Sequence, residues 1–497
     1  MKCEVVVVGG GIGGLTVAAL LAARGVDVCL LERESRVGGC VTSFDKFGYS
    51  FEPGYGLYTS WRPREIHDRV FSELPVEPPE VRLLEPGYVV RLPDKSEICL
   101  TADKQAFENN LREVFPECAD IAISFYRKLG QLSDSLARVL QKTPDFLGAS
   151  RSRQAYKLLS EGKTGAQILA SSQHTTLQHL DGVSARFRRF IDVQLQTFAQ
   201  AGASQISYLY ATQALTAPLA GLFGIRGGGS ALADRLADSI RESGGKIRLD
   251  TPVLRLSYDS TGKPLGVVLL SGEIVTASSA IVSTLTLWDT YGKLVGLNHM
   301  PAEVRKELKS LRSWGAYLLY LGLDEDPEAS SSPGRVLALT DWQDEGEYEP
   351  KNNQLFFAAA PSWDPRGPGG KRAVTVHTFT DVDEWFTFHT DETELEQRDQ
   401  QMLEACWERL HSTIPELGNR IEVIDTATPR TYYDQTRRKL GMVGGVIPTP
   451  ETFWTNMPRY LTCFPNLFIV SDTTSPGGVA GVTNSALDLA NRLTGKT

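Results

Sequence analysis

The chain opens on an apolar run that glycines cut short. Residues 4–8 (EVVVV) are rich in β-branched side chains, the composition of a central strand buried on both faces. Gly9-Gly10-Gly11-Ile12-Gly13-Gly14 follows. Then come LTVAALLAARG, a helical stretch ended by Gly25, and VDVCLLE, a second strand that stops on Glu32. Strand, glycine turn, helix, strand and acid fall in the register of a dinucleotide-binding unit. Gly9 permits the tight turn, Gly11 lets a pyrophosphate reach the backbone, and Gly14 lets helix and strand pack closely. The helix start at Ile12 and Gly13 offers unpaired N–H groups and a positive dipole end. Glu32 lies 21 residues beyond Gly11, where a carboxylate binds ribose hydroxyls and repels a 2′-phosphate, so NADP is disfavoured.

Two further blocks repeat this grammar. Ile225 to Gly229 precede SALADRLADSIRESGG, whose apolar positions 232, 236 and 240 recur at near-helical spacing. The helix feeds Lys246–Leu249, which predicts a return to the first sheet, and strands with turns at Ser260–Gly262 and Ser271–Gly272 follow. Near the C-terminus, NLFIVSD is an apolar strand ending on Asp472, followed by the loop TTSPGGVAGVTNSA and the helix LDLANRLTG. Between the blocks, 71–224 reads as mostly helical, and 301–424 mixes strands (WGAYLLYLGL, AVTVHTFT) with the helix ETELEQRDQQMLEACWERL. DEDPEASSSPG (324–334) reads as an exposed loop. The expected fold is α/β. A Rossmann-like domain, a parallel sheet with helices, is built from 1–70, 225–300 and 425–497. It is interleaved with an α+β substrate and lid domain from 71–224 and 301–424.

Composition narrows the class. A chain of 497 residues exceeds what one core fills, so two domains are expected. A net charge of −9 argues against nucleic-acid binding, which wants a basic face. Seven scattered cysteines without a CxxC pair suggest neither a disulfide framework nor a metal site, and fit a reducing, cytoplasmic setting. Neither a secretory leader nor a membrane-spanning run is read. From Val193 to Ile225, 33 residues carry no Asp, Glu, Lys, Arg or His. That segment reads either as buried core or as the wall of an apolar substrate tunnel. The basic clusters RFRR (186–189) and TRRK (436–439), with Arg151, Arg153 and Lys157, read as solvated surface. The alternative is docking to anionic lipid headgroups, at about 1 kcal/mol per charge, which leaves peripheral membrane contact open.

After Glu32, Gly38-Gly39 make a second close approach of backbone to cofactor. This E-x(5)-G-G continuation resembles the FAD-binding start shared by amine oxidases and carotenoid desaturases. The three blocks stand in the order seen in the phytoene desaturase, carotenoid isomerase and retinol saturase family of that amine oxidase-like superfamily. GGCVTSFDKFGYSFEPGYGLY, GMVGGV (441–446) and SPGGVAGVTNSA resemble its landmarks. The resemblance implies an FAD-dependent oxidoreductase acting on carbon–carbon bonds of an apolar polyene or isoprenoid lipid, as desaturase, isomerase or saturase. It implies FAD contacts at Gly9, Gly11, Ile12, Gly13, Gly14, Glu32, Arg33, Gly38, Gly39, Cys40, Tyr55, Gly56, Val253, Asp472, Gly481 and Val482. Tyr58, Tyr208 and Tyr210 are candidates for the substrate pocket, where aromatic faces suit a cation-like polyene. The chain departs from the pattern at Cys40 (usually Arg), Glu52 (usually Asp) and Ser471 (usually Gly), and Cys40 points to the isomerase and saturase branch. No general base is read. Glu52 is the nearest carboxylate and is expected to cap backbone, and His377 is expected to be structural. An amine-oxidase-like flavoenzyme and a non-catalytic prenyl- or lipid-binding protein of the same fold are the competing readings.

Overall fold

The computed structural model describes residues 1–142, 151–325, 334–343, 346–386, 392–452 and 461–496. Val5 and Val7 face one side of the first strand, Lys2–Val8, while Val6 and Val8 face the other, and all four are buried. The run lacks polar alternation because the strand carries a packed layer on each face. It pairs in parallel with Val28–Leu31 and with Ile274–Ser283. Lys246–Arg248 extends the sheet beyond Val28–Leu31, and Leu467–Ile469 joins Ile274–Ser283, both in parallel. The three glycine-bearing blocks therefore do meet in one sheet.

Helices Ile12–Ala23, Gly228–Glu242 and Gly478–Thr494 cover one face of this sheet. The other face packs on Trp288, Tyr291 and Leu294, and an antiparallel arm, Val253–Tyr258 with Pro264–Leu269, extends the same sheet from Ile274–Ser283. Cys29 is plain core here.

A second sheet runs in the order Ile421–Ala427, Gly315–Asp324, Lys371–Thr380, Gln354–Ala359, Arg335–Leu339, Tyr88–Arg91, Glu97–Leu100. One face buries Cys406 and Leu410 of the helix Glu392–Thr413. The other meets a helical lobe that includes Ala119–Lys142, Ala185–Ala199 and Tyr208–Ala220. The stretch 71–224 is helical as expected over most of its length, but it also supplies three four-residue strands, too short for a period to show. The expected boundaries at 225 and 425 fall within strands Leu222–Ile225 and Ile421–Ala427, the latter belonging to the second sheet. Most of the loop expected at 324–334 lies outside the described residues.

The charge-free segment is core: Val193, Leu195, Ile206, Leu209 and Leu215 are fully or almost fully buried in the helical lobe. The basic clusters need correcting. Arg186 pairs with Asp94, and Arg189 is buried against Asp192 at 3.0 Å and the carbonyls of Trp342 and Gly346. RFRR thus ties the helical lobe to distant loops and is not a free basic patch. Among the described residues, no helix is long and apolar enough to cross a membrane.

At Gly14 a Cβ would lie 2.3 Å from the Gly9 carbonyl oxygen and 2.8 Å from a Thr284 methyl. Gly14→Ala is expected to cost about 1–3 kcal/mol through overpacking. Urea unfolding measures this, and an unchanged midpoint would contradict the close contact.

Candidate functional site

Two helix starts and the Glu32 carboxylate meet in a cleft of about 600 Å³, inside the range of about 300–1,000 Å³ for small-molecule sites. Helix Ile12–Ala23 begins after Gly11 and helix Gly478–Thr494 after Gly477, and neither has a side-chain cap. Their first-turn N–H groups are therefore left to water or a ligand. Gly11 faces open space, because a Cβ there would meet nothing within 4 Å. Gly13 has the opposite reason for being glycine, since a Cβ there would lie 2.7 Å from the Val470 carbonyl oxygen and from Val482.

Gly38 and Gly39 bring the chain back against this loop. Both adopt left-handed backbone, with φ of 116° and 57°, which β-carbons disfavour. The Gly38 N–H donates to the Gly10 carbonyl at 2.8 Å. Glu32 closes the turn: Oε2 accepts the Gly10 N–H at 2.5 Å and Oε1 the Glu34 N–H at 2.8 Å. Each oxygen keeps a second lone pair, and the residue lines the cleft.

Of the expected cofactor residues, Gly9, Gly11, Ile12, Gly13, Glu32, Arg33, Gly38, Gly39, Cys40, Val253, Asp472 and Val482 line this one cleft. Four do not. Gly14 packs behind the loop, and Gly481 sits against the Pro476 carbonyl, 2.0 Å from where a Cβ would stand. Tyr55 and Gly56 line a separate small cavity. The three pocket tyrosines are not brought together. Tyr58 is buried and donates to Glu52. Tyr210 accepts from the Gly477 backbone at the end of the cleft. Tyr208 is buried in the helical lobe and stacks on His179 at 3.6 Å, lining a separate pocket with Asp120 and Lys128.

Glu52 behaves as a cap. It accepts the Gly229 N–H at 3.1 Å, at the start of helix Gly228–Glu242, and Arg366 at 2.7 Å, besides Tyr58. With both oxygens engaged it is no free base.

The residue that sequence reasoning missed is Arg438. Its guanidinium pairs with Asp472 at 2.9 Å, lies 3.9 Å from Cys40 Sγ, and donates to the Met442 and Gly444 carbonyls. Within TRRK, Arg438 is thus a wall of the cleft, while Arg437 and Lys439 remain exposed. The resemblance expected a cation at position 40, and residue 438 brings one to the same place. Cys40 opens onto the cleft, yet burial among protein atoms pushes its thiol pKa up, so it stays protonated near neutral pH. Thr284, Asp289, Lys293, Tyr432 and Gln435 also line the cleft, and no motif marks them.

Tyr55 packs on His377 at 4.5 Å, Phe356 at 4.8 Å and Phe198 at 6.0 Å between ring centroids. His377 is structural, as expected: it donates to the Gly54 carbonyl, and burial lowers its pKa to about 3. An unfolded histidine takes its proton near 6.5. The folded pKa is the lower one, so His377 removes stability as pH falls from about 6.5 toward 3, by up to about 1.4 kcal/mol per pH unit. His377→Phe is expected to flatten the slope of unfolding free energy against pH in that window by close to one proton. An unchanged slope would show that the ring is not held neutral.

A sequence profile of the flavin containing amine oxidoreductase family matches residues 12–494. Among characterised relatives, all-trans-retinol 13,14-reductase of Danio rerio is 26% identical over 97% of this chain and 84% of its own length. Prolycopene isomerase of Daucus carota is 23% identical over 99% of this chain and 80% of its own. Among solved structures, an oxidoreductase of Methanosarcina mazei superposes with a TM-score of 0.64 at 18% identity, over 98% of this chain and 99% of that one. Putrescine oxidase bound to putrescine superposes with a TM-score of 0.61 at 14% identity, over 100% and 99%. These likenesses carry the fold. With the profile match across nearly the whole chain, they establish that this protein belongs to the flavin containing amine oxidoreductase family and is an FAD-dependent oxidoreductase.

Proposed function

We propose that the cleft holds FAD along the line from Glu32 to Val482, and that the enzyme acts on a carbon–carbon bond of an apolar polyene. The donors and acceptors present fit that cofactor. Glu32 has lone pairs for ribose hydroxyls, the uncapped start of helix Ile12–Ala23 offers N–H groups for the diphosphate, and Gly11 leaves room for it. Asp472, pinned by Arg438, and the second helix start at Gly478 face the flavin end. Bound there, FAD supplies hydride transfer to or from carbon.

This chain's residues supply binding and exclusion of water. The partly buried Tyr55 and Phe198, backed by the fully buried Phe356, are the aromatic surface offered to a conjugated chain, and each buried CH₂ is worth about 0.8 kcal/mol. Gly54 to Gly56 come from the segment that follows the second glycine pair, which is what joins this wall to the cofactor loop.

The observation that carries the substrate class is the match of at least 97% of the chain to relatives named for a retinol and for a lycopene isomer. The amine alternative has less support, because three of the four carboxylates that line the described cleft, Glu34, Asp289 and Asp472, already pair with Arg33, Lys293 and Arg438, and the fourth, Glu32, stands at the ribose end. Glu32 and Asp472 are engaged as described, and Asp289 pairs with Lys293 at 2.8 Å. The test is anaerobic. With the flavin first reduced by dithionite, all-trans-retinol is expected to lose a conjugated double bond as the flavin is reoxidised, or a poly-cis carotenoid to change its polyene spectrum, and putrescine added to the oxidised enzyme is expected to leave the flavin oxidised. Bleaching of the flavin by putrescine, with polyenes unchanged, would overturn the reading.

We further propose peripheral contact with anionic membranes through helix Arg151–Ser160. Tyr156 and Leu159 are exposed there, at 73% and 59%, beside Arg153 and Lys157. Flotation with phosphatidylserine vesicles is expected, and Tyr156→Ser with Leu159→Ser is expected to weaken it severalfold. Equal flotation of the variant would contradict this assignment.

A further inference from the structure

Helix Tyr208–Ala220 is buried on every side at its start, with one exception. Tyr208 to Thr212, Ala214 and Leu215 are buried, and Gln213 between them is exposed. An accessible carboxamide among buried neighbours marks an opening in the packing. A glycine fixes where that amide lies. A β-carbon at Gly477 would stand 2.2 Å from Gln213 Nε2 and 3.0 Å from its Cδ, so the amide rests on the bare backbone of residue 477. Three residues earlier, on the same helix face, Tyr210 accepts from the Gly477 backbone.

Gly477 leads into helix Gly478–Thr494, whose first residues, Gly478 and Val479, line the cofactor cleft at its flavin end. Gln213 does not line that cleft and meets the loop from the helical lobe. The same helix runs on to the substrate side. It continues into Leu222–Ile225, where Phe223 exchanges backbone hydrogen bonds of 3.0 and 2.8 Å with Tyr58, three residues past Tyr55. Leu57 and Leu219, partly buried, pack on the same core as Tyr55 and Phe198. Gln213 is thus a polar group at the edge of an apolar surround. Among the described residues no protein group hydrogen-bonds its amide. A carboxamide offers two N–H donors and a carbonyl acceptor, and a hydroxyl is both donor and acceptor, so the two groups match. A hydrocarbon end covering the amide would leave it unpaired.

We propose that Gln213 binds the terminal hydroxyl of the substrate and so selects a polyene alcohol over a polyene hydrocarbon. The inference rests on the polyene reading above and adds the polar end of the substrate to it.

The test compares all-trans-retinol with its counterpart carrying hydrogen in place of the hydroxyl, on the FAD-loaded enzyme with dithionite as electron donor. Wild type is expected to prefer the alcohol in kcat/KM, and Gln213→Met to lower that preference about fivefold. Gln213→Asn, one methylene shorter, is expected to keep part of it. Both variants are expected to bind FAD as wild type does, read by calorimetry, because the amide lies outside the cofactor cleft. An unchanged preference in Gln213→Met would overturn the proposal. So would a loss of FAD affinity, which would give the amide to the cofactor. Wild-type turnover of a poly-cis carotenoid and none of retinol would overturn it while the polyene reading stands, and turnover of no polyene would overturn both.

Discussion

Residue 13 can carry no side chain, and the cofactor half of the molecule depends on that. A methyl group there would strike the Val470 carbonyl and the Val482 side chain at 2.7 Å. Without it, the first and last helices of the chain lie side by side on one face of the parallel sheet, and both point uncapped starts at the same cleft. Unpaired N–H groups at two helix ends are a stable arrangement only where water or an anionic, hydrogen-bonding ligand meets them. The family relationship supplies that ligand, FAD.

Other contacts keep this geometry rigid. Glu32 locks the glycine loop through two backbone N–H groups, so its remaining lone pairs are held in place before any ligand arrives. Arg438 does the same for Asp472 and also gathers the carbonyls of the 442–444 turn. The guanidinium that the resemblance placed at position 40 thus arrives from residue 438, almost 400 positions later in the chain, and Cys40 makes room for it.

The fold was largely legible because its determinants are local. EVVVV, the glycine turn and the helix after it fix one strand, one turn and one helix without help from elsewhere, and Gly11 and Gly14 face where their spacing implied. Residues whose role depends on a distant partner were not legible. RFRR reads as an exposed patch until Asp94 and the carbonyls of residues 342 and 346 are seen to receive it. Arg438 within TRRK is recognised as a cleft wall only once Asp472 stands opposite. Tyr208 and Tyr210 are two apart on a helix, so they point away from each other, and only Tyr210 reaches the cofactor side. Charge-free composition could not separate core from tunnel, because both exclude charge for the same energetic reason.

The central claim is that FAD enters against the bare backbone at residue 11. Titration of the flavin-stripped protein with FAD, read by calorimetry, tests it most directly when wild type is compared with Gly11→Val. A β-carbon at residue 11 meets nothing within 4 Å, so the variant is expected to unfold near the wild-type urea midpoint while losing FAD affinity by at least about tenfold, equivalent to about 1.4 kcal/mol. Wild-type affinity in the variant would contradict the account.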